Sequence, residues 1–227
     1  MSDSNVIRNS GDFFVNDAVE LLSSSTLLSA DEVAEMLVQI RDHFQHHHAH
    51  LNNQATAEQV GFFFVNRTLH VLGYTHSHNE PLGDDHRIEY TMFNNPDVFS
   101  AHVASRGTLG FFNGAVAIGK VAAWAADLDE GLKATEDGSS TGENHAFDLE
   151  EQMRLTNLPW AILTNGRVWR LYHKNTAAMV NAFFEVDLLK IIQDSDLENF
   201  KIFANTFCAA AISADKTGSC ENKRLLA

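Results

Sequence analysis

Apolar positions three and four residues apart, Val33, Met36, Leu37, Ile40 and Phe44, follow directly on Ser29-Ala30-Asp31-Glu32. The spacing predicts an amphipathic helix from Ser29 to about His48, started by a capping box in which the serine hydroxyl and glutamate carboxylate satisfy free backbone amides. Thr56-Ala57-Glu58-Gln59 repeats the start signal, with Val60, Phe63, Phe64, Val71 and Leu72 behind it and Gly73 as its stop. Beyond Gly73 the period falls from 3.6 to 2. "RIEYTMF", residues 87–93, alternates Ile88, Tyr90 and Met92 against Glu89, Thr91 and Phe93, and "GAVAIGKVAAW", residues 114–124, is a short apolar run. Both predict strands.

The stretch 127–144 is polar and rich in Gly and Ser, which predicts a surface loop or a disordered insertion. "FDLEEQMRLTN" predicts a helix, followed by a strand at 160–165, a tight turn at Asn165-Gly166, a strand at 168–173 and another within "NAFFEVDLL". Ser195 and Glu198 are expected to cap a last helix through about Ile212, and "SADKTGSCENKRLLA" has no periodicity. The resulting order of elements describes an α/β core with a mixed central sheet, a helical N-terminal extension over 1–55, the core at 56–212 and a C-terminal tail at 213–227.

Composition narrows the setting. A chain of 227 residues, 44% hydrophobic and 20% charged, is long enough for one well-buried domain. No signal-type apolar stretch and no run of about 18 apolar residues occurs, so neither export nor a membrane span is expected, and the cytoplasm is the expected compartment. The two cysteines, Cys208 and Cys220, lack a metal-type partner pair and suit a reducing environment. A formal net charge of -14 argues against a protein that simply coats DNA. Its distribution is uneven, however: from Gln152 to Phe184 there is no Asp or Glu, while Arg154, Arg167, Arg170 and Lys174 all fall there. Arg167 and Arg170 interleave with Val168 and Leu171, which suggests a strand face meeting solvent or phosphate and makes these four cations candidate DNA contacts. "HFQHHHAH", residues 43–50, spaces His43 with His47 and His46 with His50 one helical turn apart, as a metal pair requires. A solvated helix end is the commoner use of such a run.

In order and spacing, "QATAEQVGFFFVNRTLHVLGY", "RIEYTMF", "AIGKVAAWAADLD" and "RLTNLPWAILTNGRVWRLYHKNT…FFEVDLLKII" resemble the N-terminal nuclease domain of type IIG restriction-modification enzymes and related phage-defence methyltransferases. The resemblance covers about Thr56 to Ala211 and is most specific in LTNGRxWRLY with the following FEVDL. It implies a PD-(D/E)xK restriction-endonuclease-like fold, in which carboxylates from two strands hold Mg²⁺ and a lysine orients the water that hydrolyses DNA. On that alignment Glu89 stands where the first carboxylate belongs and is the candidate metal ligand of an active enzyme. Lys120 and Ala122 stand where Glu and Lys belong, and Asp148 takes the helix position usually held by Gln. Two of the family's groups are thus absent, which implies a degenerate site that binds DNA or a restriction-modification or methyltransferase partner. Two other readings remain open: an active Mg²⁺-dependent endonuclease in which Glu89 works with relocated ligands such as Asp127 or Asp129, and an acidic inhibitor or decoy of a related nuclease. Asp97, in a literal Pro-Asp, fits a loop or helix start better than a strand. The family's methyltransferase motifs do not occur in this sequence, so the resemblance implies a subunit that meets a methyltransferase in trans, an isolated gene remnant or a domain excised from a larger enzyme.

Overall fold

A computed structural model describes residues 6–83, 86–130, 145–176, 181–213 and 220–226. Chain order runs β1 (Ile7–Ser10), α1 (Ala18–Ser24), α2 (Ala30–His47), α3 (Ala57–Val60), a π-helical turn (Gly61–Val65), α4 (Asn66–Val71), β2 (Thr75–Leu82), β3 (His86–Phe93), α5 (Pro96–His102), α6 (Leu109–Phe112) and β4 (Ala117–Val121). It continues through α7 (His145–Thr156), β5 (Trp160–Thr164), β6 (Val168–His173), β7 (Phe183–Asp187), α8 (Leu188–Asp194), α9 (Leu197–Phe207), α10 (Ala209–Ile212) and α11 (Glu221–Leu225). The seven strands form one mixed sheet in the order β1-β7-β6-β5-β4-β3-β2. Only the β4–β5 pair is parallel, and α7 lies on the connection between those two strands. The chain is therefore an α/β protein.

Helices cover both faces. One face packs α2, the helix over 57–71 and α9 against Tyr90, Val121, Ile162, Trp169, Leu171 and Phe184. The other packs Phe111 and Phe112 of α6 and Ala146, Leu149 and Met153 of α7 against Ile118, Ala161, Leu163 and Phe183. A strand buried on both faces has no polar side to alternate, which explains why β5 reads Trp-Ala-Ile-Leu-Thr without interruption.

Both capping boxes form: Ser29 with Glu32, and Thr56 with Gln59. The Asn165-Gly166 hairpin also forms, Asn165 Oδ1 accepting from the amides of Arg167 and Val168. Gly166 has φ +83°, and a Cβ there would sit 2.9 Å from Val60 Cγ1, so glycine answers both the turn and the close approach of the 57–71 helix.

Several expectations need correction. The segment 1–55 is not only helical: β1 pairs with β7, and Phe13 and Phe14 are fully buried in the same core cluster as α2. β2, to which the sequence pattern assigns no element, pairs along its length with β3. Ser195 does not start a helix; at φ +54° it closes α8, and Asp196 caps α9 by accepting from the Asn199 amide. The expected single helix to Ile212 breaks at Cys208, whose extended backbone separates α9 from α10. The C-terminal tail supplies α11, and Leu226 bridges to Phe14. Residues 131–144 of the expected polar loop and 214–219 of the tail lie outside the described residues. Just ahead of the former, Leu128 is buried and Asp129 is ion-paired, so 127–130 is anchored to the body. Both cysteines are buried and unpaired by disulfide. Among the described residues no helix is long and apolar enough to cross a membrane.

Candidate functional site

A cleft of about 840 Å³ opens between the helix over 57–71, strands β2 to β4 and α7; Phe62, Phe63, Asn66, Arg87, Glu89, Lys120 and Gln152 are among the residues lining it. Its floor is set by register. Tyr90 pairs with Gly119 in the antiparallel β3–β4 ladder, so one step further Glu89 stands opposite Lys120. Glu89 Oε1 accepts from the amide of Val121 at 3.2 Å. Burial pushes its carboxyl up to about 7, against the opposing pull of that amide and of the Lys120 charge. Lys120 donates to Asp148, in the first turn of α7, and forms an ion pair with it.

The structure thus brings Glu89, Lys120 and Asp148 to one place. Ala122 is 1% exposed and belongs to the α7-side core, with its amide donating to the Thr164 carbonyl. Its methyl supports the sheet rather than the cleft.

These residues do not fit Mg²⁺. A hard divalent cation wants several anionic oxygens converging on one point. Here an ammonium lies beside Glu89 and occupies Asp148, and burial raises the Glu89 carboxyl, which disfavours its anionic form. Among the described residues no group of three or more His, Cys, Asp or Glu side chains is placed to hold a metal. That covers the histidine run too: the His43 and His47 rings are 4.7 Å apart, and His46 Nδ1 lies 2.6 Å from the Asp42 carbonyl oxygen. The relocated ligand Asp129 is held elsewhere. Hydrogen bonding from Arg8, reinforced by the Arg170 charge, keeps its carboxyl down at about 2. Asp97 lies in the first turn of α5, next to Pro96.

The four candidate DNA contacts do not form one face. Arg170 is 2% exposed: it binds Glu185 and Asp129, donates to the Leu128 carbonyl and packs over the Phe183 ring at 4.2 Å. No phosphate reaches it. Positions 167 and 170 differ by an odd number, so a strand points them to opposite faces. Arg167 lies at the hairpin turn, 6.0 Å from the Trp124 ring, while Lys174 reaches Asn157 at the opposite end of β6. The six residues of β6 separate those two, roughly 20 Å or more. Arg154 is exposed and makes a loose pair with Glu151 at 3.7 Å.

Sequence reasoning missed the rest of the cleft. Gln152 follows Asp148 by one helical turn and donates to the Arg87 carbonyl, while its own Oε1 is buried without a partner among the described residues. Asn66 Oδ1 accepts from the Tyr90 hydroxyl at 2.9 Å. Gly61 makes that approach possible, since a Cβ there would stand 2.5 Å from the Tyr90 oxygen. The i, i+4 offset from Asp148 was the available signal for Gln152; nothing in the sequence marks the π-helical turn that arranges Phe62 and Phe63.

The fold and the cleft define an α/β protein whose helix-flanked mixed sheet carries a polar cleft over β3 and β4. Comparison with models of protein families, with curated proteins and with solved structures returned no match for the chain.

Proposed function

We propose that the chain is a PD-(D/E)xK-like domain that has lost metal-dependent cleavage and acts by binding a partner of a restriction or defence system. One observation carries the reading: Lys120 occupies the position directly across from Glu89 and is tied to Asp148. A lysine in place of a carboxylate removes the metal and with it the activated water and the charge neutralisation that phosphodiester hydrolysis needs. The order of elements supports the scaffold part of the reading: a helix, three antiparallel strands, then a helix crossing to a parallel fourth strand. Burial of Arg170 and the dispersal of the other three cations favour a protein partner over a long grip on duplex DNA. Purified protein incubated with unmethylated plasmid and Mg²⁺ or Mn²⁺ is expected to leave the plasmid supercoiled, as in EDTA. Metal-dependent nicking that disappears in Glu89→Ala would overturn the reading in favour of an active endonuclease.

A further inference from the structure

Phe62 is 71% exposed, the most exposed large apolar side chain among the described residues, and it sits on the lip of the cleft. It does not stand alone. Its ring meets Phe63 edge-on at 5.1 Å, and Phe63 stacks on His50 at 4.4 Å with the planes 8° apart. The step is fixed by the π-helical turn Gly61–Val65, a local widening that costs helix regularity and recurs where a helix serves a site. An aromatic held with its face in water beside a cavity of ligand size is poised to take a flat partner.

The polar groups deeper in the same cleft define the rest of that partner. Among the described residues nothing donates to the buried Gln152 Oε1, and Asn66 spends its carbonyl on Tyr90 while no acceptor there takes its amide hydrogens. Arg87 has no carboxylate partner among the described residues; its guanidinium donates only to the Asn79 carbonyl at 3.1 Å. The other cation of the cleft, Lys120, is neutralised by Asp148. The site therefore offers a stacking surface, the amides of Gln152 and Asn66, and at Arg87 a guanidinium with no carboxylate partner among the described residues, with Glu58 and Glu89 also in its lining, within a protein of net charge -14 that repels longer polyanions.

We infer that the cleft binds a nucleoside monophosphate, its base stacked on Phe62 with its edge toward Gln152 and Asn66, and its phosphate at Arg87. The inference rests on the cleft's own groups and goes beyond the loss of cleavage proposed above: it stands or falls separately from plasmid nicking. The test is calorimetric titration of the purified protein with AMP, GMP, CMP and UMP, beside ribose 5-phosphate and a short duplex oligonucleotide. At least one mononucleotide is expected to bind in a one-to-one ratio and ribose 5-phosphate to bind far more weakly. Phe62→Ala should weaken that nucleotide on the order of tenfold, because a base–aromatic stack is lost, while Phe62→Trp retains it. Arg87→Ala should bring the nucleotide's affinity down to that of its nucleoside. Since Phe62 and Arg87 are exposed, these variants are expected to keep the fold, checked by their unchanged circular dichroism. Equal binding of ribose 5-phosphate, binding indifferent to Phe62→Ala, binding of the duplex alone, or no binding by any of the four nucleotides would overturn the inference.

Discussion

Replacing Arg170 with alanine is expected to destabilise the protein by about 3 kcal/mol in urea unfolding at pH 7, although the residue lies in what reads as a solvent-facing basic hairpin. The guanidinium is 2% exposed and its three nitrogens bind Glu185, Asp129 and the Leu128 carbonyl. Removal leaves the carboxylates of Glu185 and Asp129, 17% and 32% exposed, with only Arg8 to offset them. Because Arg8 bonds both at 2.9 Å, the loss is placed at the lower end of the range for breaking a buried pair. Arg170→Lys is expected to recover little, since one ammonium cannot reproduce a planar fork serving three acceptors at once. A loss below about 1 kcal/mol would place Arg170 among ordinary surface bridges and reopen its assignment as a DNA contact.

Glu89→Gln is expected to stabilise the protein by about 2 kcal/mol at pH 8 and to change little at pH 4. Burial raises the Glu89 carboxyl from 4.5 to about 7. The folded protein therefore holds that proton more tightly than the unfolded chain does, and stability falls as pH rises through the window from about 4.5 to about 7. Above that window the full cost of a buried carboxylate is present, and a neutral amide removes it while still accepting from the Val121 amide. Two histidines act in the opposite sense: burial lowers His76 and His173 to about 4, so their contribution is lost as pH falls from 6.5 towards 4. Urea midpoints measured from pH 4 to pH 8 for the parent and Glu89→Gln separate these effects. Equal stability of the two proteins at pH 8 would mean that Glu89 is solvated and free to be a ligand.

What the sequence made legible follows from the range of each signal. The capping boxes at Ser29 and Thr56, the turn at Asn165-Gly166 and the alternation in "RIEYTMF" are local, and each appears where its residues predict. β1 and β2 were invisible because "IRNS" and "THSHNEPL" become strands only through partners distant in the chain or half-exposed at a sheet edge. Arg170 was misread for a related reason: charge near a turn suggests solvent, and the carboxylates that bury it lie 15 and 41 residues away. The cleft was half legible. Glu89, Lys120 and Asp148, singled out in the sequence, lie together; Arg87 and Gln152 share a strand and a helix with two of them, whereas Asn66 and Phe62 join them only through the packing of the 57–71 helix over the sheet.

Calorimetric titration of Mn²⁺ into the parent protein, Lys120→Glu and Glu89→Gln at pH 8 asks whether Lys120, opposite Glu89, keeps a metal out of the cleft. No stoichiometric binding is expected for the parent or for Glu89→Gln. Lys120→Glu should gain a single Mn²⁺ site, because it frees Asp148 and places a second carboxylate across from Glu89. One-to-one Mn²⁺ binding by the parent, abolished in Glu89→Gln, would show a working metal site in the cleft and return it to catalysis.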